Sequence, residues 1–146
     1  MKTYYSGKYK IINREKYIGN PDNIIYRSSW ELKCLIWFDK NPDIIQFGSE
    51  ELIIPYISPV DGKPHRYFPD FFVKSKTKNG IKTMVIEIKP YKQTVPPKQR
   101  KKVTKLYITE VTTWGVNQAK WEAAKQYCLD RKWEFKILTE RDLNFT

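Results

Sequence analysis

The dipeptide Asn79-Gly80 does more than any other feature to limit the folds open to this chain. Asn-Gly is the strongest short-range signal for a two-residue hairpin turn, because both residues tolerate the positive φ that such turns require. Residues 68–74 and 82–89, on either side, read as strands. Side chains alternate faces along a strand. Phe68, Asp70 and Phe72 therefore share one face of the first strand. In the second, Met84, Ile86 and Ile88 share one face, and Val85, Glu87 and Lys89 the other. A turn at Asn79-Gly80 pairs Lys78 with Ile81 and sets Asp70 opposite Lys89. Asp70 and Glu87 then become diagonal neighbours, about 7–8 Å apart. A one-residue change in loop length would move one of them to the wrong face.

Those charges sit among Phe71, Phe72, Val85, Ile86 and Ile88, the composition of a largely buried sheet. Buried charge is costly unless it is paired or bound to a metal. Two readings follow. Asp70 and Lys89 could form a cross-strand ion pair with Glu87 solvated. Alternatively, the two carboxylates could converge on one divalent ion, since Mg²⁺–oxygen bonds are about 2.0–2.1 Å.

The rest of the chain supplies elements to flank that hairpin. YRSSWELKCLIWFDKNPD predicts a helix, with Ser28 as N-cap, Glu31 three residues later and Asn41-Pro42 as the stop. IIQFG (44–48) and ELIIPYIS (51–58) read as strands, and Pro55 marks the second as an edge or a bulge. VDGKP is a turn, residues 91–105 a basic, proline-bearing loop, residues 116–131 a second helix and residues 133–138 a final strand. Residues 1–26 read as an arm or lead-in, possessing at most a short strand, and residues 27–146 as one domain. The fold class is an α/β sandwich.

Charge narrows the partners. Lys and Arg number 27 against 16 Asp and Glu, a formal net charge of +11. That excess points to a polyanion, nucleic acid before an anionic membrane surface. No apolar run approaches the roughly 20 residues that span a bilayer. The N-terminal residues lack the apolar core of a secretory signal. Cys34 and Cys128 read as buried free thiols. One histidine, His65, is too few for a Cys/His zinc site or a histidine-cluster nuclease.

At Pro69-Asp70 and Glu87-Ile88-Lys89 the chain resembles the PD-(D/E)xK nuclease superfamily. The Ser-Ser-Trp-Glu helix start, the NPDI run, the PDF and EIK strands and the later helix and strand extend the resemblance to the TnsA-type endonuclease domain, over roughly Arg27 to Leu143. The resemblance implies a restriction-endonuclease-like sandwich, in which helices flank a mixed central sheet carrying an antiparallel hairpin. It implies Asp70, Glu87 and the Ile88 carbonyl as ligands of Mg²⁺, with Mn²⁺ able to substitute. Lys89 would orient or deprotonate the attacking water in hydrolysis of DNA phosphodiester bonds. The compact, basic, stand-alone form is similar to the head completion nucleases of T-even-like phages; a transposition enzyme is expected to carry a further DNA-binding domain. DNA, phage head or neck proteins and a second copy of the chain are the implied partners. The host cytoplasm during assembly, or the virion head, is the implied location. The competing readings are a non-catalytic DNA-binding head-assembly protein and a transposition or repair nuclease of the same fold.

Supporting residues carry double readings. Glu31 completes a capping box, which needs no catalysis. It also shares a helix face with Leu35 and Phe38, and the resemblance gives it a catalytic place. Lys120 falls in the stripe of Val116, Ala123, Ala124, Tyr127 and Cys128; it either snorkels to the surface or meets the scissile phosphate. Gln118 has a weaker claim to the same role. His65 reads as a solvated turn residue or a phosphate contact. Lys98, Arg100, Lys101, Lys102 and Lys105 are the candidates for the DNA backbone. Tyr4, Tyr5, Tyr9 and Tyr17 either stack on unpaired bases or pack on the domain.

Overall fold

The computed structural model describes residues 6–143. Strands β1 (Gly7–Lys8) and β2 (Ile25–Tyr26) pair antiparallel at its start. The segment between them is folded onto the main core through Ile11, Tyr17 and Ile24. Tyr9 donates its hydroxyl to Asp39 at 2.5 Å. The Tyr17 hydroxyl accepts the Ser49 N–H at 3.2 Å, and its ring meets Phe47 edge-on at 5.4 Å. Tyr9 and Tyr17 thus pack on the domain, the second of the two expectations for them; Tyr4 and Tyr5 lie outside the described residues.

Helix α1 (Ser29–Lys40) begins where expected, because the Ser28 hydroxyl accepts the Glu31 N–H at 3.1 Å. It ends at Asn41, whose N–H reaches Trp37 O. Strand β3 (Ile44–Ser49) follows, and then a separate two-stranded ribbon of β4 (Ile54–Ile57) and β5 (Pro64–Tyr67). Pro55 lies in that ribbon, outside the central sheet, where a missing N–H is tolerated.

Strands β6 (Phe71–Thr77), β7 (Gly80–Ile88) and β8 (Glu134–Leu138) join β3 in a four-stranded sheet ordered β3-β6-β7-β8. The first two pairings are antiparallel and β7/β8 is parallel. The hairpin register differs from expectation. Thr77 pairs with Gly80, so the two turn residues are Lys78 and Asn79 rather than Asn79 and Gly80. Gly80 takes the positive φ of +109°, and the Thr77 hydroxyl closes the turn, donating to Gly80 O at 2.6 Å and accepting from Asn79 N at 3.3 Å. Sliding a two-residue turn by one position shifts every cross-strand pair by two. Face parity survives, and with it the convergence of Asp70 and Glu87.

Helix α2 (Lys105–Asp130) starts well before residue 116. Thr104 caps it by accepting the Tyr107 N–H at 3.1 Å. Its first turns leave Leu106, Ile108 and Val111 exposed, so no core-facing period announces them. The basic loop thus ends at Thr104, and Lys105 is helical.

The two helices cover opposite faces of the sheet. Leu35 and Phe38 of α1 pack with Phe47, Phe71, Val73 and Ile86, whereas Trp121, Ala124 and Cys128 of α2 pack with Val85, Ile54 and Tyr67. Cys34 and Cys128 are both buried free thiols, one in each cluster. Burial pushes Cys34 up to about 12 and Cys128 to about 11, which keeps both inert as nucleophiles.

Candidate active site

The site forms where β6 and β7 meet the chain entering from β5. Pro69, one of the fully buried residues, fixes the approach, and Asp70 directly precedes β6. Phe71 pairs with Ile86. Continuing that register one residue outward sets Asp70 across from Glu87, so the carboxylates are direct neighbours rather than diagonal ones.

Each carboxylate is anchored on one side. Asp70 Oδ2 accepts the Ile88 N–H at 2.7 Å, and the Asp70 carbonyl accepts the Glu50 N–H at 3.1 Å. Glu87 is 6% exposed, and its Oε1 accepts the Tyr67 hydroxyl at 2.7 Å. Lys89 Nζ stands 3.8 Å from Glu87 Oε2, an ion-pair distance beyond hydrogen-bond range. Ile88 thus joins the site through its backbone, between Glu87 and Lys89.

Charge compensation is incomplete. Burial pushes Asp70 well above the usual carboxylate range, and the Glu87 charge pushes the same way; the Ile88 N–H and Lys89 only partly offset them. Glu87 is raised as well, chiefly by burial, against the pull of Tyr67, Lys89, the Asp70 backbone and Lys120. Two adjacent carboxylates with too little positive charge form a hard-oxygen donor pair. No cluster of three or more His, Cys, Asp or Glu side chains with metal-binding geometry occurs among the described residues. A cation here would therefore draw its remaining ligands from backbone oxygen and water, which suits Mg²⁺, an ion that retains several waters.

The other anticipated residues distribute unevenly. Glu31 folds back on the helix start in a variant of the capping box, accepting from Ser28 Oγ at 3.2 Å and from the N–H of Arg27, one residue before the cap, at 3.4 Å. It also lies near enough to raise Asp70, and its own carboxyl is raised by burial. Lys120 does not snorkel freely: its Nζ sits 5.9 Å from the Tyr56 ring centre and 5.7 Å from that of Tyr67, and its charge reaches Glu87. Gln118 is exposed. His65 is in β5, held by Asp61 at 2.8 Å, and stands apart from the carboxylate pair's contacts. Arg100 pairs with Glu110 at 3.3 Å. Lys98, Lys101, Lys102 and Lys105 are exposed, with no ion-pair partner among the described residues.

Tyr67 is the participant that sequence reasoning missed. Its hydroxyl holds Glu87, and its own ionisation is strongly suppressed by burial and by the Glu87 charge. The pattern of β5 was hidden by the preceding turn and by Phe68-Pro69, so the alternation that aims Tyr67 inward was not visible.

Comparison with known proteins gives the family. Residues 41–140 match the family model "TnsA-like endonuclease N terminal". The chain is also 43% identical over 143 residues, covering 95% of it and 93% of its relative, to the head completion nuclease of Enterobacteria phage T4. The matched segment contains the ribbon, the hairpin with Asp70, Glu87 and Lys89, and the crossover helix. The mixed sheet, the two flanking helices and both comparisons place this chain in the TnsA-like endonuclease family.

Proposed function

We propose that the chain is a Mg²⁺-dependent endonuclease that hydrolyses DNA phosphodiester bonds, with Asp70, Glu87 and the Ile88 carbonyl holding the metal and Mn²⁺ able to replace it. The observation carrying this reading is the under-compensated buried pair Asp70/Glu87 with Lys89 beside it. When bound, the divalent ion supplies a Lewis acid for the phosphoryl oxygens and lowers the pKa of a bound water.

The protein groups have separate tasks. Asp70, fixed by the Ile88 N–H, and Glu87, fixed by Tyr67, arrive oriented, so little rearrangement accompanies ligation. Lys89 orients the attacking water and offsets charge growing on the phosphoryl oxygens. Lys120, pinned over Tyr56 and Tyr67, adds positive potential from the α2 side. Glu31 tunes the field at Asp70 from the α1 terminus. Lys98, Lys101, Lys102 and Lys105 meet backbone phosphates independently of sequence, which makes binding salt-dependent. The relative's printed name, head completion nuclease, supports a place in phage head completion, and we read packaged DNA as the substrate.

Cleavage of linear and supercoiled DNA with Mg²⁺, Mn²⁺ or EDTA tests the reading. Wild type should cut only with metal, Asp70→Asn should be inactive, and Lys89→Ala should lose about 10²–10³-fold, the scale of removing one group that stabilises transition-state charge. DNA binding without cutting by the wild type would leave a binding protein on a nuclease fold. Cutting that survives Asp70→Asn would refute the site.

A further inference from the structure

A cleft lies against the segment that follows Lys89 in the chain. It has a volume of about 480 Å³ and runs between the proline-bearing segment after β7 and the first half of α2. Pro96 and Pro97 line it with Trp114, while Lys92, Lys98 and Arg100 also border it. Asn117 lines it as well. That residue is only 6% exposed, but its amide is not sealed from solvent: among the described residues the fully buried side-chain polar atom left without a partner is Trp121 Nε1. The accessible part of the Asn117 amide lines the cleft, where a ligand can hydrogen-bond it.

We propose that this cleft receives an unpaired nucleotide, so that the enzyme engages a single-stranded segment next to the bond it cuts. The assignment rests on the endonuclease reading above and names the substrate class of that same site. Three features match a nucleotide. The Trp114 ring and the Pro96-Pro97 wall offer apolar surface on which a base can stack. Asn117 presents an amide able to hydrogen-bond a base edge. Lys92 and Lys98 place positive charge for the flanking phosphates, beside an Arg100 whose charge is paired with Glu110, itself a lining residue. Within a duplex the base faces are stacked on their neighbours and the Watson–Crick edges are paired, so neither is free to enter the cleft.

The position is also appropriate. Lys92 follows Lys89 by three residues, across the short 3-10 turn Tyr91–Gln93. Asn117 precedes Lys120 by three positions and Trp121 by four, on one face of α2. Lys120 and Trp121 reach the Tyr67–Glu87 pair. A base held by Asn117 therefore adjoins the carboxylates through one turn of helix.

Binding in EDTA separates this inference from catalysis. Fluorescently labelled single-stranded oligonucleotides and blunt duplexes would be titrated into the full chain as wild type, Trp114→Ala and Asn117→Ser. Trp114→Ala should weaken single-strand binding about tenfold, from loss of one base stack, while duplex affinity stays within twofold (roughly) of wild type. Asn117→Ser should weaken the single strand less, in the same selective way. Equal losses on both DNAs, or no loss on the single strand despite a folded protein, would overturn the proposal. A 5′-mononucleotide competing as well as the oligonucleotide would also overturn it, assigning the cleft to free nucleotide. Should wild type show the selective binding but cut nothing when metal is added, the endonuclease reading fails and the nucleotide cleft stands.

Discussion

Asp39 and the Asp70/Glu87 pair are both buried acids, and they differ in what surrounds them. Asp39 is fully buried at the end of α1, yet its carboxyl lies below the usual range. Burial alone would raise it. Hydrogen bonds from Ile12 N at 2.8 Å, Tyr9 Oη at 2.5 Å, Asn13 N at 2.9 Å and Asn13 Nδ2 at 3.1 Å outweigh that effect. Asp70 and Glu87 have fewer donors and repel one another, and both are raised. Asp39 ties the N-terminal segment to the core; the pair keeps an unmet need for positive charge. Burial of a carboxylate is thus no sign of function. A shortage of donors around it is.

The sharpest way to break the contrast is to neutralise each acid. Asp39→Asn turns a shared acceptor into a competing donor, and should cost about 1–3 kcal/mol of stability, the range for breaking a buried hydrogen-bond set, while the folded fraction still cuts DNA. Asp70→Asn should do the reverse, abolishing cleavage with metal-free stability kept or raised. Chemical denaturation beside a cleavage assay reads both; equal stability losses in the two variants would dissolve the distinction.

Tyr67→Phe sharpens the comparison from the donor side. Tyr67 favours the ionised form of Glu87, so its removal raises that carboxyl further. The Mg²⁺ concentration for half-maximal cleavage should rise about tenfold or more, since a hydrogen bond to a charged group is worth about 1.5–3 kcal/mol. The acid limb of the pH–rate profile should move to higher pH. An unchanged metal requirement would mean that Tyr67 only packs.

A smaller effect should be visible in the pH dependence of stability. Raised native carboxyls bind protons more tightly than their unfolded values of about 3.9 for Asp and 4.3 for Glu. Stability from the protonated pair is fully present below those values and is lost as pH rises through the raised native ones. Without metal, the melting temperature of wild type relative to Asp70→Asn should therefore fall as pH rises from about 4 through that range. For Asp39 the sign is opposite: its contribution is present at neutral pH and lost on acidification through its lowered native value.

Much of this was legible in the chain, for identifiable reasons. Ser28 and Glu31 mark a helix start by local chemistry, and Ser28 indeed caps α1. The PD and EIK segments survive a wrong turn assignment because a shift of two preserves which face each residue takes. Other features depend on partners distant in sequence. Nothing local tells Tyr9 that it will meet Asp39, thirty residues on. The early turns of α2 carry no burial pattern because most of their apolar residues face outward. Tyr67 and Asn117 acquire their roles only when β5 and α2 converge on the sheet.

Calorimetric titration of the metal-free protein with Mg²⁺ at neutral pH tests the central claim most directly. Binding should strengthen as pH rises, because protonation of the raised Asp70/Glu87 pair competes with the metal; it should persist in Asp39→Asn and vanish in Glu87→Gln. Binding that survives Glu87→Gln unchanged, or a folded wild type that binds no divalent ion, would contradict the account.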